Sequence, residues 1–178
     1  MTVDLAQFVR DIPDFPQPGI VFKDITPIMA DAAALDHVVS ALADDVRGRL
    51  GAVDVVIAAE ARGFLLGPAV ARELGAGFVL ARKPGKLPWS TVRAEYLLEY
   101  GSDALELHSD AMLGYPPAPR VLVHDDLLAT GGTAQALCSL VEQLGGTVLG
   151  CAFLIELAFL EGRSKLQGYD VHALLAYH

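Results

Sequence analysis

The chain has 178 residues, of which 53% are hydrophobic and 20% are charged. This length is typical of one domain, and the apolar side chains suffice for a core, which excludes a mainly disordered chain. The 13 Lys and Arg residues against 22 Asp and Glu residues give a formal net charge of −9. Such an acidic protein is a poor candidate for binding nucleic acid or a membrane surface, because both depend on basic side chains.

The N-terminus and the cysteines indicate the compartment. Residues 1–4 show neither the basic nor the apolar region of a signal peptide, and the most apolar stretch, residues 148–160, is too short to span a bilayer. Cys138 and Cys151 have no Cys-x-x-Cys spacing and no His neighbours at zinc-site spacing. We therefore expect reduced structural thiols in a soluble, cytoplasmic protein.

Taken in chain order, the hydrophobic pattern begins with an amphipathic helix over residues 5–12 that ends at Pro13, a turn-rich stretch over 13–19 and a short apolar segment over 20–22. The elements that follow are a helix over 35–50, a strand over 53–59, a helix over 63–74, strands over 78–81 and 121–123, a helix over 131–144, and strands over 148–155 and 171–175. The strands at 53–59 and 78–81 lack polar alternation, which is typical of strands covered on both faces of a parallel sheet. This order predicts an α/β fold with a doubly wound, mainly parallel sheet flanked by helices and with ligands at the carboxyl ends of the strands.

The regular pattern is interrupted between Arg82 and about Leu107. Residues 83–91 are rich in Pro, Gly and Lys and fit neither a helix nor a strand, whereas residues 96–101 and 105–107 predict a hairpin. An excursion of this length in a compact domain is usually functional, and often a lid. The chain has no internal repeat and no linker, so we predict a single domain over residues 1–178.

Positive charge is concentrated in one part of the chain. Residues 61–94 contain six basic residues and one acidic residue, a balance of +5, whereas the remainder sums to −14. A compact basic region in an acidic protein indicates a small anionic ligand such as phosphate or diphosphate. The alternative is a solvated basic loop.

The strongest local motif runs from Asp125 to Thr133. An apolar strand is followed by two adjacent carboxylates and then by a Thr-Gly-Gly-Thr turn that opens a helix. Glycines allow the backbone to approach a ligand closely, and free N–H groups at a helix start attract an anion, so the motif predicts a monophosphate site. The paired Asp side chains suit vicinal sugar hydroxyls or a hydrated divalent cation. Alternatively they are turn residues, with Thr130 as an N-cap.

This motif resembles the loop of the type I phosphoribosyltransferases that binds 5-phosphoribosyl 1-diphosphate (PRPP). Other segments resemble the members of this family that act on adenine, and they occur in the family's order, at residues 15–27, 60–64, 82–88, 96–101 and 152–157. The resemblance extends over about residues 5–170. It implies the type I phosphoribosyltransferase fold, with a small N-terminal hood segment at about residues 1–30 and a flexible lid at about residues 82–108.

The resemblance also implies a reaction and its partners. Adenine and PRPP would be converted to AMP and diphosphate by a cytoplasmic homodimer of purine salvage that binds no nucleic acid and no membrane. Mg²⁺ is the implied cofactor, bound mainly through PRPP and diphosphate, with no direct protein ligand and with Asp126 as a contact through water. The alternatives are a phosphoribosyltransferase for another purine, such as xanthine, and a non-catalytic nucleotide-sensing regulator on the same fold.

The family assigns roles to the residues of the predicted phosphate and diphosphate sites. The residues implied for the 5′-phosphate are Ala129, Thr130, Gly131, Gly132 and Thr133, and those implied for the ribose diol are Asp125 and Asp126. The residues implied for diphosphate are Arg62, Arg82, Lys83 and Lys86, which would account for the basic region. The alternatives are an ion pair between Arg62 and its neighbour Glu60, and a solvated loop for the two lysines.

The adenine side of the reaction depends on three residues. Glu99 matches the family's glutamate that handles the base proton, and Val21 and Phe22 match the adenine pocket, where Phe22 would stack on the base. Relatives that use 6-oxopurines carry an aspartate at the position of Ala129, so the proton must be handled elsewhere in this chain. The alternatives are a solvent-facing strand carboxylate for Glu99 and core packing for Phe22.

One position departs from the family pattern. His124 stands before the acidic pair, where the family usually has an apolar residue. An imidazole beside two carboxylates is expected to be protonated more readily, unless the strand end merely tolerates it.

Overall fold

The structure is a computed structural model, and it describes residues 4–97 and 102–178. Its α-helices are α1 (Thr26–Ala30), α2 (Ala32–Leu50), α3 (Gly63–Leu74) and α4 (Gly132–Gln143). Its strands are β1 (Arg10–Pro13), β2 (Val21–Asp24), β3 (Val55–Ala59), β4 (Gly77–Ala81), β5 (Thr91–Leu97), β6 (Ser102–His108), β7 (Arg120–Leu128), β8 (Thr147–Leu157) and β9 (Asp170–Tyr177). Short 3₁₀ helices occupy residues 5–8, 158–160 and 162–166.

Five parallel strands form the central sheet, in the order β4-β3-β7-β8-β9. All five residues of β3 are buried, as its unbroken apolar run predicted. Successive residues of β7 pack on opposite faces, because side chains alternate along a strand: Leu122 lies in one core with Leu66 of α3, and Val123 in the other with Leu137 of α4. The predicted α/β fold with helices on both faces of a parallel sheet is confirmed.

The N-terminal prediction is wrong. In place of a helix over residues 5–12, a 3₁₀ helix covers only Leu5–Phe8, and β1 then pairs with β2 in an antiparallel hairpin. An isolated helix of eight residues is marginal because it makes few hydrogen bonds for the cost of its nucleation, so pairing with a distant strand prevails. The Lys23 ammonium lies 3.9 Å from the centre of the Tyr177 ring, which holds this hairpin at the carboxyl end of β9.

Two strands differ from their predicted character. β4 is the outer strand of the central sheet, and Leu80 on it is 44% exposed, so the prediction of a buried strand is wrong there. A strand at the edge of a sheet has a neighbouring strand on one side only, so part of its apolar side-chain surface stays exposed to solvent. β7 is longer than predicted and continues through the acidic pair to Leu128, so the two carboxylates lie within the strand.

The predicted hairpin is confirmed and starts earlier, at Thr91. Strands β5 and β6 are antiparallel, in a register that runs from Thr91 opposite His108 to Leu97 opposite Ser102. Leu105 and Leu107 of β6 are buried in the core that contains α4. The hairpin is thereby seated beside the helix that follows the predicted phosphate loop. Its function as a lid stays a prediction.

Two further features concern the cysteines and the helices. Cys138 and Cys151 are buried, and their Sγ atoms lie 3.7 Å apart without a disulfide bond. No α-helix in the described ranges is both long enough and apolar enough to cross a membrane.

His124 behaves opposite to the expectation of easier protonation. The imidazole is fully buried, and its Nδ1 lies 2.9 Å from the Ala152 carbonyl oxygen, to which a neutral ring donates. Burial lowers the pKa of His124 to about 4, because a charged ring would lose its hydration there, and the hydrogen bond to Ala152 opposes this only in part. The side chain is therefore neutral at physiological pH.

This burial predicts an acid-sensitive stability. The unfolded chain binds a proton at His124 near pH 6.5, whereas the folded protein does so only near pH 4. The free energy of unfolding should therefore fall by about 3 kcal/mol through this residue as the pH drops from 6.5 to 4. In the variant His124→Leu this component should be absent. Urea denaturation of both proteins between pH 7 and 4 measures it, and equal pH dependence would contradict the assignment.

Candidate active site

The residues of the predicted phosphate and diphosphate sites come from the carboxyl ends of adjacent strands. β3 ends at Ala59 and leads through Glu60 to Arg62, and its neighbour β7 carries the acidic pair near its carboxyl end and leads to the loop before α4. Parallel strands place these ends at one edge of the sheet, where ligands of open α/β folds bind. Residues that are far apart in the sequence are therefore close together in the fold.

Residues 129–133, the predicted 5′-phosphate site, called the phosphate loop below, comprise the connection between β7 and α4 and the first two residues of α4. Gly131 has a φ of +79° and is the N-cap of α4, where no side chain caps the helix. The first N–H groups of this 12-residue helix therefore remain available for an anion. A cavity of about 150 Å³ is lined by the phosphate loop, by Asp125 and Asp126, and by Arg62.

The acidic pair is strongly perturbed. Burial, and then the charge of the neighbouring Asp126, raise the pKa of Asp125 well above its ordinary value. Burial also raises the pKa of Asp126, although Arg62 and several hydrogen bonds act in the opposite direction. Asp126 is only 3% exposed, and its Oδ2 lies 3.2 Å from Nε of Arg62. Two adjacent carboxylates, one buried and one partly buried, are stabilised by hydroxyl donors or by a cation in the cavity.

Three of the four basic residues of the predicted diphosphate site, Arg62, Arg82 and Lys83, pair with carboxylates. Arg62 pairs with Asp126, so the alternative of an ion pair between Arg62 and Glu60 is not what the structure contains. Glu60 instead lies 3.1 Å from Nη2 of Arg82 and accepts a hydrogen bond from the Lys83 backbone N–H. Burial alone would raise the pKa of Glu60, but these two contacts lower it.

The other two basic residues lie on the segment between β4 and β5. The Lys83 ammonium forms an ion pair with Asp103 of β6. Lys86 is exposed, and its carbonyl oxygen accepts a hydrogen bond from Nη1 of Arg82. Arg82 thus contacts both the turn after β3 and the segment that carries the lysines.

The predicted adenine pocket lies beside Arg62. The rings of Phe22 and Phe15 meet edge to face, with their centres 5.2 Å apart, and the Arg62 guanidinium lies 5.1 Å from the centre of the Phe22 ring. Phe22 is half-buried and Val21 is half-exposed, so neither is a core residue. Arg62 therefore contacts both the Phe22 ring and Asp126 of the cavity.

Comparison with known proteins decides the family. A model of the phosphoribosyl transferase domain matches residues 24–173. The chain belongs to the phosphoribosyltransferase family. The adenine phosphoribosyltransferase of Rubrobacter xylanophilus is 58% identical over 171 residues, which are 96% of this chain and 90% of that protein.

Solved structures of phosphoribosyltransferases have the same fold. The crystal structure of the adenine phosphoribosyltransferase from Thermoanaerobacter pseudethanolicus superposes with a TM-score of 0.92 at 50% identity and covers 98% of both chains. The enzyme from Saccharomyces cerevisiae, solved with adenine and D-2,5-dideoxy-2,5-imino-altritol 1,6-bisphosphate, superposes with a TM-score of 0.90 at 38% identity and covers 97% of both chains.

Some contacts of this phosphoribosyltransferase were not predicted. Glu60 was considered only as a partner of Arg62, and Asp103 had no predicted role, although each is paired with a residue of the predicted diphosphate site. The sequence shows that both residues are acidic. Their partners are about 20 residues away in the chain, and no local sequence pattern indicates which residues pair over such a separation. Glu99 lies outside the described residues, and its role stays a prediction from the family resemblance.

Proposed function

We propose that this phosphoribosyltransferase transfers the 5-phosphoribosyl group of PRPP to adenine and releases AMP and diphosphate. The observation that carries the proposal is one continuous arrangement around Arg62. Its guanidinium contacts Asp126 in the phosphate cavity on one side and the Phe22 ring on the other. A sugar phosphate in the cavity and a base beside Phe22 would thus be neighbours. The curated relatives named adenine phosphoribosyltransferase support adenine as that base.

PRPP has three parts, and each has matching residues. The phosphate loop supplies backbone N–H groups and the hydroxyls of Thr130 and Thr133 for the 5′-phosphate. Asp125 and Asp126 accept hydrogen bonds from the ribose diol, which relieves two carboxylates that burial disfavours. The diphosphate lies towards Arg62 and the segment that carries Lys83 and Lys86.

Binding of diphosphate exchanges partners within the site. In the free protein, carboxylates neutralise Arg62 and Lys83. The diphosphate oxygens replace Asp126 and Asp103 in these pairs, which leaves Asp126 to the ribose. As the glycosidic bond breaks, negative charge grows on the diphosphate, and the basic residues stabilise it.

Magnesium fits this site through water. Among the described residues, no cluster of three or more His, Cys, Asp or Glu side chains has the arrangement of a metal site. Asp125 and Asp126 are hard oxygen donors of the kind that hold a hydrated Mg²⁺, which is otherwise bound by substrate phosphates. When bound, the ion supplies positive charge to the leaving diphosphate.

Adenine must lose a proton from the nitrogen that attacks the ribose. Glu99 is the proposed acceptor, and Ala129 supplies no carboxylate at the position where 6-oxopurine enzymes carry one. A homodimer in the cytoplasm is part of the same proposal. Leu65 of α3 and Leu80 of β4, exposed by 45% and 44%, are candidate interface residues near Phe64.

A purine panel tests the proposal. Purified protein is incubated with PRPP, Mg²⁺ and adenine, hypoxanthine, guanine or xanthine in turn, and the nucleotide product is measured by chromatography. We expect AMP from adenine only, and loss of product when EDTA removes Mg²⁺. Product from another purine alone would select the alternative substrate, and absence of product with every purine would select the non-catalytic regulator.

A further inference from the structure

We propose that Gly162 is a positioning residue for the phosphate loop, although it lies about 30 residues beyond it in the chain. The inference rests on the proposed function, because it assumes that the phosphate loop binds the 5′-phosphate of PRPP. Gly162 belongs to residues 158–166, the buttress segment, which follows β8 at the same edge of the sheet.

The buttress segment and the phosphate loop are packed backbone against backbone. A Cβ atom at Gly162 would overlap the carbonyl oxygen of Ala129 and lie 3.1 Å from its carbonyl carbon. Reciprocally, a Cβ atom at Gly131 would overlap the carbonyl oxygen of Gly162. Each segment therefore occupies the space that a side chain on the other would need. Gly162 does not have a positive φ, so its requirement is for space alone.

The buttress segment is itself firmly anchored. Nε and Nη2 of Arg163 each lie 2.7 Å from a carboxylate oxygen of the buried Glu156, and Nη1 donates to the Val171 carbonyl oxygen at 2.6 Å. Leu166 is buried in the same core as Leu128, the last residue of β7. Arg163 thus ties the segment to β8 and β9, and Leu166 ties it to the sheet end that carries the phosphate loop.

An anchored segment in direct contact with the loop backbone determines where the loop lies. Because the buttress cannot retreat, a methyl group at Gly162 must displace the Ala129 carbonyl and with it the N–H groups that bind phosphate. A displacement of about 1 Å in a binding group can cost up to about a hundredfold in activity. The loss should fall on ligands that carry a 5′-phosphate, whereas adenine bound beside Phe22 should be little affected.

The variant Gly162→Ala tests this, with Gly150→Ala as its matched control. A Cβ atom at Gly150 would also meet a backbone carbonyl, that of Asp170 at 2.8 Å, but Gly150 lies opposite Leu122, far from the phosphate loop. We expect Gly162→Ala to raise the KM for PRPP and the Kd for AMP by about tenfold or more, with KM for adenine changed less than threefold. Gly150→Ala should lower the melting temperature and leave both KM values at the wild-type level.

A milder variant keeps the test decisive if Gly162→Ala folds poorly. Arg163→Lys retains the charge but loses the bidentate ion pair with Glu156. The buttress segment is then less firmly held, and no new atom is placed against the phosphate loop. Its KM for PRPP should rise about threefold or more at unchanged KM for adenine. Unchanged affinity for PRPP and AMP in a folded Gly162→Ala protein, or equal effects of Gly162→Ala and Gly150→Ala, would overturn the inference. Failure of the wild-type protein to bind AMP would instead overturn the proposed function.

Discussion

Replacing Glu99 with glutamine is expected to lower kcat by about 10²- to 10⁴-fold, with little change in the KM for PRPP. Glutamine has nearly the size of glutamate but cannot take up the proton that adenine loses when its nitrogen attacks the ribose. Other carboxylates of the described residues have different roles in the proposed complex. Asp125 and Asp126 accept hydrogen bonds from the ribose diol, Glu106 accepts the Gly85 backbone N–H, and Ala129 has no carboxylate. The effect should therefore fall on the chemical step.

Steady-state kinetics with varied adenine and varied PRPP measure this expectation. The loss should appear in kcat, while the KM for PRPP stays close to the wild-type value. Glu95→Gln is the matched control, because Glu95 stands four residues before Glu99 in the sequence, is exposed and pairs only with Arg93 among the described contacts. An unchanged kcat in Glu99→Gln would remove Glu99 from the mechanism.

Asp126→Asn is expected to raise the KM for PRPP by about a hundredfold. In the proposed complex the carboxylate is a charged acceptor for the ribose diol, and in the free protein its Oδ2 lies 3.2 Å from Nε of Arg62, a residue of the proposed diphosphate site. A hydrogen bond to a charged group contributes about 1.5–3 kcal/mol, so the loss of one such bond approaches two orders of magnitude in affinity. Arg62, which is 40% exposed, would also lose the partner that orients it.

The same substitution should leave the free protein at least as stable at pH 7. The pKa of Asp125 is raised in the folded state, so its charged form opposes folding above that pKa, and the penalty is relieved as the pH falls through it. Removal of the neighbouring charge reduces this penalty at neutral pH. Urea denaturation and PRPP titration of Asp126→Asn, with Asp44→Asn on the exposed face of α2 as control, measure both effects. Full affinity for PRPP would refute the diol assignment.

Much of the fold could be predicted because its signals are local. Each of three elements is marked by its hydrophobic pattern or by a glycine at its boundary: the strand that ends at Ala59, the helix over Gly63–Leu74 and the helix after Gly131. The phosphate loop is equally local, since strand, acidic pair, glycine turn and helix are contiguous. Tertiary packing decided two points that local preference did not. The prediction of a helix over residues 5–12 was wrong because β1 pairs with β2, and of the two interpretations left open for His124, its burial keeps the ring neutral.

The sequence by itself determined the parallel sheet, the phosphate loop with its acidic pair, and membership of a family whose motifs occur in order along the chain. Only the tertiary structure decided which charges meet: Arg62 with Asp126, Arg82 with Glu60, and Lys83 with Asp103. It also placed Gly162 against the phosphate loop. These contacts join residues about 20 to 65 positions apart. The order of the parallel strands brings most of them to one edge of the central sheet, and the hairpin of β5 and β6 brings Asp103 to Lys83.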